Sequence, residues 1–172
     1  KKGDRVSIMA PNVPQYIISL NALLKIGVIE VPTNALYTVH ELEEQIKDSG
    51  AETVIVMAAF AGKAIEVMKK PGNPLKRVIA FQVASGPVPV EEGEGIYDFN
   101  KIIMAASAVE PNIDVKASDI ARLQYTGGTT GVPKGCVLTN AMLYSQAIRT
   151  SVWTTSNFSL IHQGDVRTLC AI

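Results

Sequence analysis

The sequence has little of what a stapled, metal-bound or membrane-embedded protein needs. Its 172 residues hold two cysteines, Cys136 and Cys170, and two histidines, His40 and His162. Neither cysteine sits in a CxxC pair and neither histidine has a Cys or His at ligand spacing, which argues against a disulfide framework and against a zinc site. The plain reading is two reduced thiols in a cytoplasmic protein. An excess of one charge is missing too: 16 Lys and Arg face 16 Asp and Glu. That argues against nucleic acid as a partner held by a bulk positive field, and against a polybasic membrane-surface segment. No apolar run nears the roughly 18 residues of a membrane span, and the longest, Val54–Ala61, is about half that, so no integral membrane segment is expected. Behind the opening Lys-Lys-Gly-Asp there is no apolar signal core. A start on Lys rather than Met gives the expectation of an excerpt from a longer chain.

What is present is an ordinary globular composition, 47% hydrophobic and 19% charged, of a length that fits one domain or a large piece of one. Apolar β-branched runs alternate with amphipathic stretches. Val6–Met9, Val28–Val31, Thr53–Met57 and Arg77–Phe81 read as strands. Between the first two lies a helical stripe through Ile17, Leu20 and Leu24, with Asn12 as its cap and Gly27 as its stop. Thr38-Val39-His40-Glu41 is a capping box, opening a helix that Gly50 ends. Ala61–Lys69 reads as a further helix. Ser85–Gly95 is a loop by composition, and Ile96–Ala106 reads as a short helix. The rhythm predicts an α/β fold: a mainly parallel sheet with βαβ crossovers and helices on both faces.

The chemistry concentrates in one segment. The strand candidate Ile120–Tyr125 runs into Thr126-Gly127-Gly128-Thr129-Thr130-Gly131-Val132-Pro133-Lys134-Gly135, then Cys136–Leu138 is apolar again, and Thr139 can cap a helix through Ala141, Leu143 and Ile148. Glycines let a backbone approach an anion closely and aim successive amides at it. Threonine hydroxyls add donors to phosphate oxygens or a lone pair to Mg²⁺, and Lys134 adds a mobile point charge. The Walker A order is absent, because Lys134 lies between Pro133 and Gly135 rather than before Ser or Thr at a helix start. The dinucleotide pattern G-x-G-x-x-G is absent as well.

The run Tyr125 to Gly135, YTGGTTGVPKG, resembles the phosphate-binding signature of the AMP-forming adenylate-forming enzymes: acyl-CoA synthetases, aryl-CoA ligases, luciferases and amino-acid adenylation domains. GDRVSIMAPNVPQYIISLNALLKIGVIEVPTN and YTVHELEEQIKDSGAETVIV are similar to the early part of the same family's large N-terminal domain. The resemblance implies residues 1–172 as a single partial domain, with the glycine-rich loop at 126–135 and the family's small C-terminal domain outside it. It implies a fatty-acid–CoA ligase as the parent enzyme, with the isolated piece inactive. ATP, Mg²⁺ and coenzyme A would be the cofactor and co-substrates, and a carboxylic, by overall similarity fatty, acid the substrate. Carried over, Thr126, Gly127, Gly128, Thr129, Thr130, Gly131 and Lys134 bind the phosphates, and the Thr126 hydroxyl lies near Mg²⁺. No catalytic residue is assigned within the chain. The family's adenine-, ribose- and lysine-bearing motifs are not found in it. An aryl-CoA ligase, another adenylating enzyme and a non-catalytic ATP or AMP sensor stay open as alternatives.

Smaller signals carry less. His40 and His162 read as surface residues. Trp153, expected just past the last helix, suits packing or an acyl pocket. An unpaired sheet edge gives self-association, in its simplest form a homodimer, as an expectation.

Overall fold

The computed structural model describes residues 1–83, 90–126 and 133–157. Among them one seven-stranded sheet runs in the order β5-β4-β3-β1-β2-β6-β7. The strands are β1 (Arg5–Met9), β2 (Ile29–Thr33), β3 (Thr53–Met57), β4 (Arg77–Phe81), β5 (Ile96–Asp98), β6 (Ile120–Thr126) and β7 (Lys134–Thr139). The helices are α1 (Pro14–Lys25), α2 (Val39–Ser49), α3 (Ala61–Met68), α4 (Phe99–Ala105) and α5 (Asn140–Asn157). Every neighbouring pair is parallel except β6 with β7, which is antiparallel. The mainly parallel α/β architecture expected from the sequence is therefore the observed one.

Alternate residues of the strands feed two cores. Met9, Val31, Val54, Val56 and Val78 pack on Leu42 and Ile46 of α2 and Ala64 and Val67 of α3. Val6, Ile8 and Ile55 face the other way, against Leu23 of α1 and Phe99 of α4. A sheet covered on both faces requires strands apolar on both sides, and that explains their near-continuous Val/Ile content. Local signals set the helix ends. The Thr38 hydroxyl accepts from Glu41 N while the Glu41 carboxylate accepts from Thr38 N at 2.8 Å. Gly50, at φ 66°, closes α2 in the left-handed turn that glycine enters without strain.

Four expectations are corrected. Residues 96–98 are a strand beside β4, and α4 starts only after Asp98, whose carboxylate caps Asn100 N and Lys101 N. The cap position of α1 is Val13, with no side-chain bond, because Pro14 at the first turn needs no amide partner. β2 does not stop at Val31, the end of the expected strand, since the register with β1 continues through Pro32 to Thr33. Trp153 lies inside α5 rather than past it.

Candidate functional site

The carboxyl ends of parallel strands are where open α/β sheets hold ligands. β6 runs parallel to the central strands, so its last residue, Thr126, reaches that end of the sheet. The chain then returns antiparallel as β7. Thr126 pairs with Lys134, Tyr125 with Gly135 and Gln124 with Cys136. The two outer residues of the predicted phosphate-binding set, Thr126 and Lys134, are thus neighbours at the last strand pair before the β6–β7 connection, both exposed. Gly127, Gly128, Thr129, Thr130 and Gly131 lie outside the described residues. Among the described residues no carboxylate pairs with Lys134, which leaves its ammonium available to an anion.

The hairpin is held from both sides. On the sheet side, Glu30 of β2 is completely buried and is the register partner of Arg122 on β6. The Arg122 guanidinium donates through Nε to Glu30 Oε2 and the Tyr16 hydroxyl donates to Glu30 Oε1 at 2.6 Å. A buried carboxylate demands such partners, since desolvation without them is costly. Burial, then the charge and hydrogen bond of Glu30, push the Tyr16 phenol well above its ordinary range. On the helix side, Tyr125 donates to Asp48 Oδ2 of α2 at 2.5 Å. Burial and then this bond and charge raise the Tyr125 phenol as well. Beyond the hairpin, Thr139 Oγ1 accepts from Met142 N, the cap foreseen in the sequence. Asn140 and Ala141 donate through their amides to the carbonyls of Asp119 and Ala117, fixing the start of α5 against the segment that enters β6.

A cavity of 350 Å³ opens beside the strand ends that flank the β6–β7 connection, lined by Tyr37, Gln45, Asp48, Tyr125 and Pro133 among others. Among the described residues no three His, Cys, Asp or Glu side chains converge as a metal centre. The exposed Cys136 has no disulfide partner among them either.

The model of the AMP-binding enzyme family matches residues 1–171. This chain belongs to the AMP-binding enzyme family. It is 38% identical over 159 residues to a long-chain-fatty-acid–CoA ligase of Salmonella typhimurium, covering 81% of this chain and 28% of that protein. It is 31% identical over 166 residues to 4-coumarate–CoA ligase 2 of Solanum tuberosum, covering 96% and 28%. The crystal structure of a long-chain-fatty-acid–CoA ligase from Archaeoglobus fulgidus superposes with a TM-score of 0.75 at 30% identity, over 90% of this chain and 28% of that one. The chain therefore spans little more than a quarter of the length of these AMP-binding relatives.

Two features escaped the sequence reading. Glu30 and Arg122 each interrupt an apolar strand with a lone charge, of opposite sign, and that was a usable signal for a buried pair. Asp48 lies on the exposed side of α2 in sequence, and only the tertiary fold brings it to Tyr125.

Proposed function

We propose that the chain is part of the N-terminal domain of an AMP-forming fatty-acid–CoA ligase. In this reading a carboxylate attacks the α-phosphorus of ATP and releases pyrophosphate to give an acyl-adenylate. The thiol of coenzyme A then displaces AMP to give the thioester. The observation that carries the proposal is the hairpin: Thr126 and Lys134 face one another at the carboxyl end of the sheet, within a motif of glycines and threonines, in a chain of the AMP-binding family.

The residues fit a polyphosphate. A hydroxyl and an ammonium stand side by side in register, both exposed, with no carboxylate paired to the ammonium among the described residues. Lys134 would neutralise charge on the β,γ-phosphates as they leave, and the Thr126 hydroxyl would offer a lone pair to Mg²⁺. Mg²⁺, when bound, supplies further neutralisation of the phosphate oxygens. Gly127, Gly128, Thr129, Thr130 and Gly131 would complete the cradle with amides and hydroxyls. Among the described residues no helix is long and apolar enough to cross a membrane. In this reading the ATP and coenzyme A pools on which such an enzyme draws give it a cytoplasmic location. The fatty-acid substrate is taken from the bacterial relatives, and the 4-coumarate ligase keeps an aryl acid as the second reading.

The test is pyrophosphate release from ATP by the full-length protein across a panel of long-chain fatty acids, benzoates and cinnamates. Release with fatty acids alone supports the first reading, and release with aryl acids alone replaces it by the second. Lys134→Ala is expected to lower release on the order of 100-fold. Unchanged turnover in that variant removes Lys134 from the site.

A further inference from the structure

We infer that Tyr125 and Asp48 form a positioning pair that fixes the base of the phosphate-binding loop, where it leaves β6, relative to α2. The inference rests on the reading of that hairpin given above. Asp48 belongs to α2, a helix ordered independently by its capping box and by burial of Leu42 and Ile46. Tyr125 is the penultimate residue of β6, one position before Thr126. Its hydroxyl bond to Asp48 spans 77 residues of sequence and joins a strand of the sheet to a helix.

The aromatic ring does the second half of the work. Tyr125 is the register partner of Gly135, and its ring lies across the glycine. A methyl group placed on Gly135 would meet Tyr125 Cζ at 3.1 Å and Cε2 at 3.3 Å. One side chain therefore touches both legs of the hairpin and, through Asp48, the helix behind them. Thr126 and Lys134 are each the next residue along from this cross-strand pair. A ring tethered at both ends leaves those two groups less freedom than an untethered strand pair has, and positioned groups bind a polyanion at lower entropic cost. The tyrosine of the signature thus has a role in holding the loop's base, separate from contact with the nucleotide. Arg122 and Glu30 hold β6 further down, so losing the Tyr125–Asp48 bond should disturb the base of the loop rather than the sheet.

The experiment is a double-mutant cycle in the full-length protein, reading ATP affinity by calorimetry, the KM for ATP and for the carboxylic acid, and the unfolding temperature. Tyr125→Phe and Asp48→Ala are each expected to weaken ATP binding about 5-fold, the size of one modest hydrogen bond. The double variant is expected to be no weaker than either single one. Asp48→Asn, which keeps an oxygen to accept from the phenol, is expected to restore most of the affinity. KM for the acid should stay within about 2-fold, a split that general loss of structure would not produce. Wild-type ATP affinity in both single variants, or losses that simply add, overturns the pairing. Equal loss for ATP and acid overturns it too, because the effect is then global. Lys134→Ala in parallel separates the two claims. If that variant weakens ATP binding while Tyr125→Phe and Asp48→Ala do not, the pairing fails and the hairpin reading stands. If Lys134→Ala binds ATP as wild type does, the hairpin reading fails and takes this one with it.

Discussion

Replacing Arg122 by Met isolates a charge in the interior. Glu30 is 0% exposed, and its carboxylate has two partners, the Arg122 guanidinium and the Tyr16 hydroxyl. Arg122→Met keeps the apolar stem and removes the cation, so one oxygen of a fully buried carboxylate loses its donor. Breaking one side of a buried pair costs about 3–5 kcal/mol. The Arg122 side chain is itself 22% exposed, so its ordinary environment is partly aqueous and the lower figure applies. The informative comparison is the apolar triple variant Glu30→Leu, Arg122→Met and Tyr16→Phe. It removes both the charge and the groups that solvate it, and is expected within about 1 kcal/mol of the wild type. Urea and thermal unfolding of the three proteins, followed by circular dichroism, measure the difference. A single variant less than about 1 kcal/mol below wild type would refute the burial argument. So would a triple variant as unstable as the single one.

Two further outcomes are expected. Glu43 accepts from Lys47 and Lys70, and these hydrogen bonds hold its carboxyl down to about 2 from the usual 4.5. A lowered folded-state value stabilises the folded chain above pH 4.5, and that contribution fades as the pH falls from there toward 2. Glu43→Gln should flatten the unfolding temperature across that window and leave its slope above pH 5 unchanged, as a pH series of melts would show. Gly95 has φ 75°, and a methyl group there would lie 2.5 Å from the carbonyl oxygen of Lys76. Gly72 has φ 74° with nothing within 4 Å. Gly95→Ala should therefore cost at least about 2 kcal/mol, and Gly72→Ala only the left-handed strain of about 1 kcal/mol. Equal losses in urea unfolding would show that the carbonyl yields to the methyl group.

The sequence made legible whatever is decided within a few residues. The capping box at Thr38 and Glu41, the glycine stops at Gly27 and Gly50, and the strands at 53–57 and 77–81 follow from local backbone preference and from apolar runs. Residues 96–98 carry no local signal that separates strand from helix, because Ile-Tyr-Asp is compatible with either state, and the choice is made by pairing with β4. The segment from Thr126 to Gly135 stands out by composition as a candidate phosphate loop, since few structural loops combine four glycines with three threonines. The juxtaposition of Thr126 and Lys134 needed the hairpin register. The tether through Asp48 was illegible because helix periodicity assigns that residue to solvent, and its partner stands 77 residues away.

The order of the sheet also bears on how the chain is made. β1 through β5 are complete by residue 98, with β2 at one border, and the strand that later covers it begins at Ile120. During synthesis that border stands open while Glu30 still waits for a partner 92 residues further along. An inward-facing charge on an open border repels apolar strands from other chains. Glu30 thus reserves the seat beside β2 for the segment that brings Arg122, and a nascent chain carrying Leu at this position would be the more prone to clump.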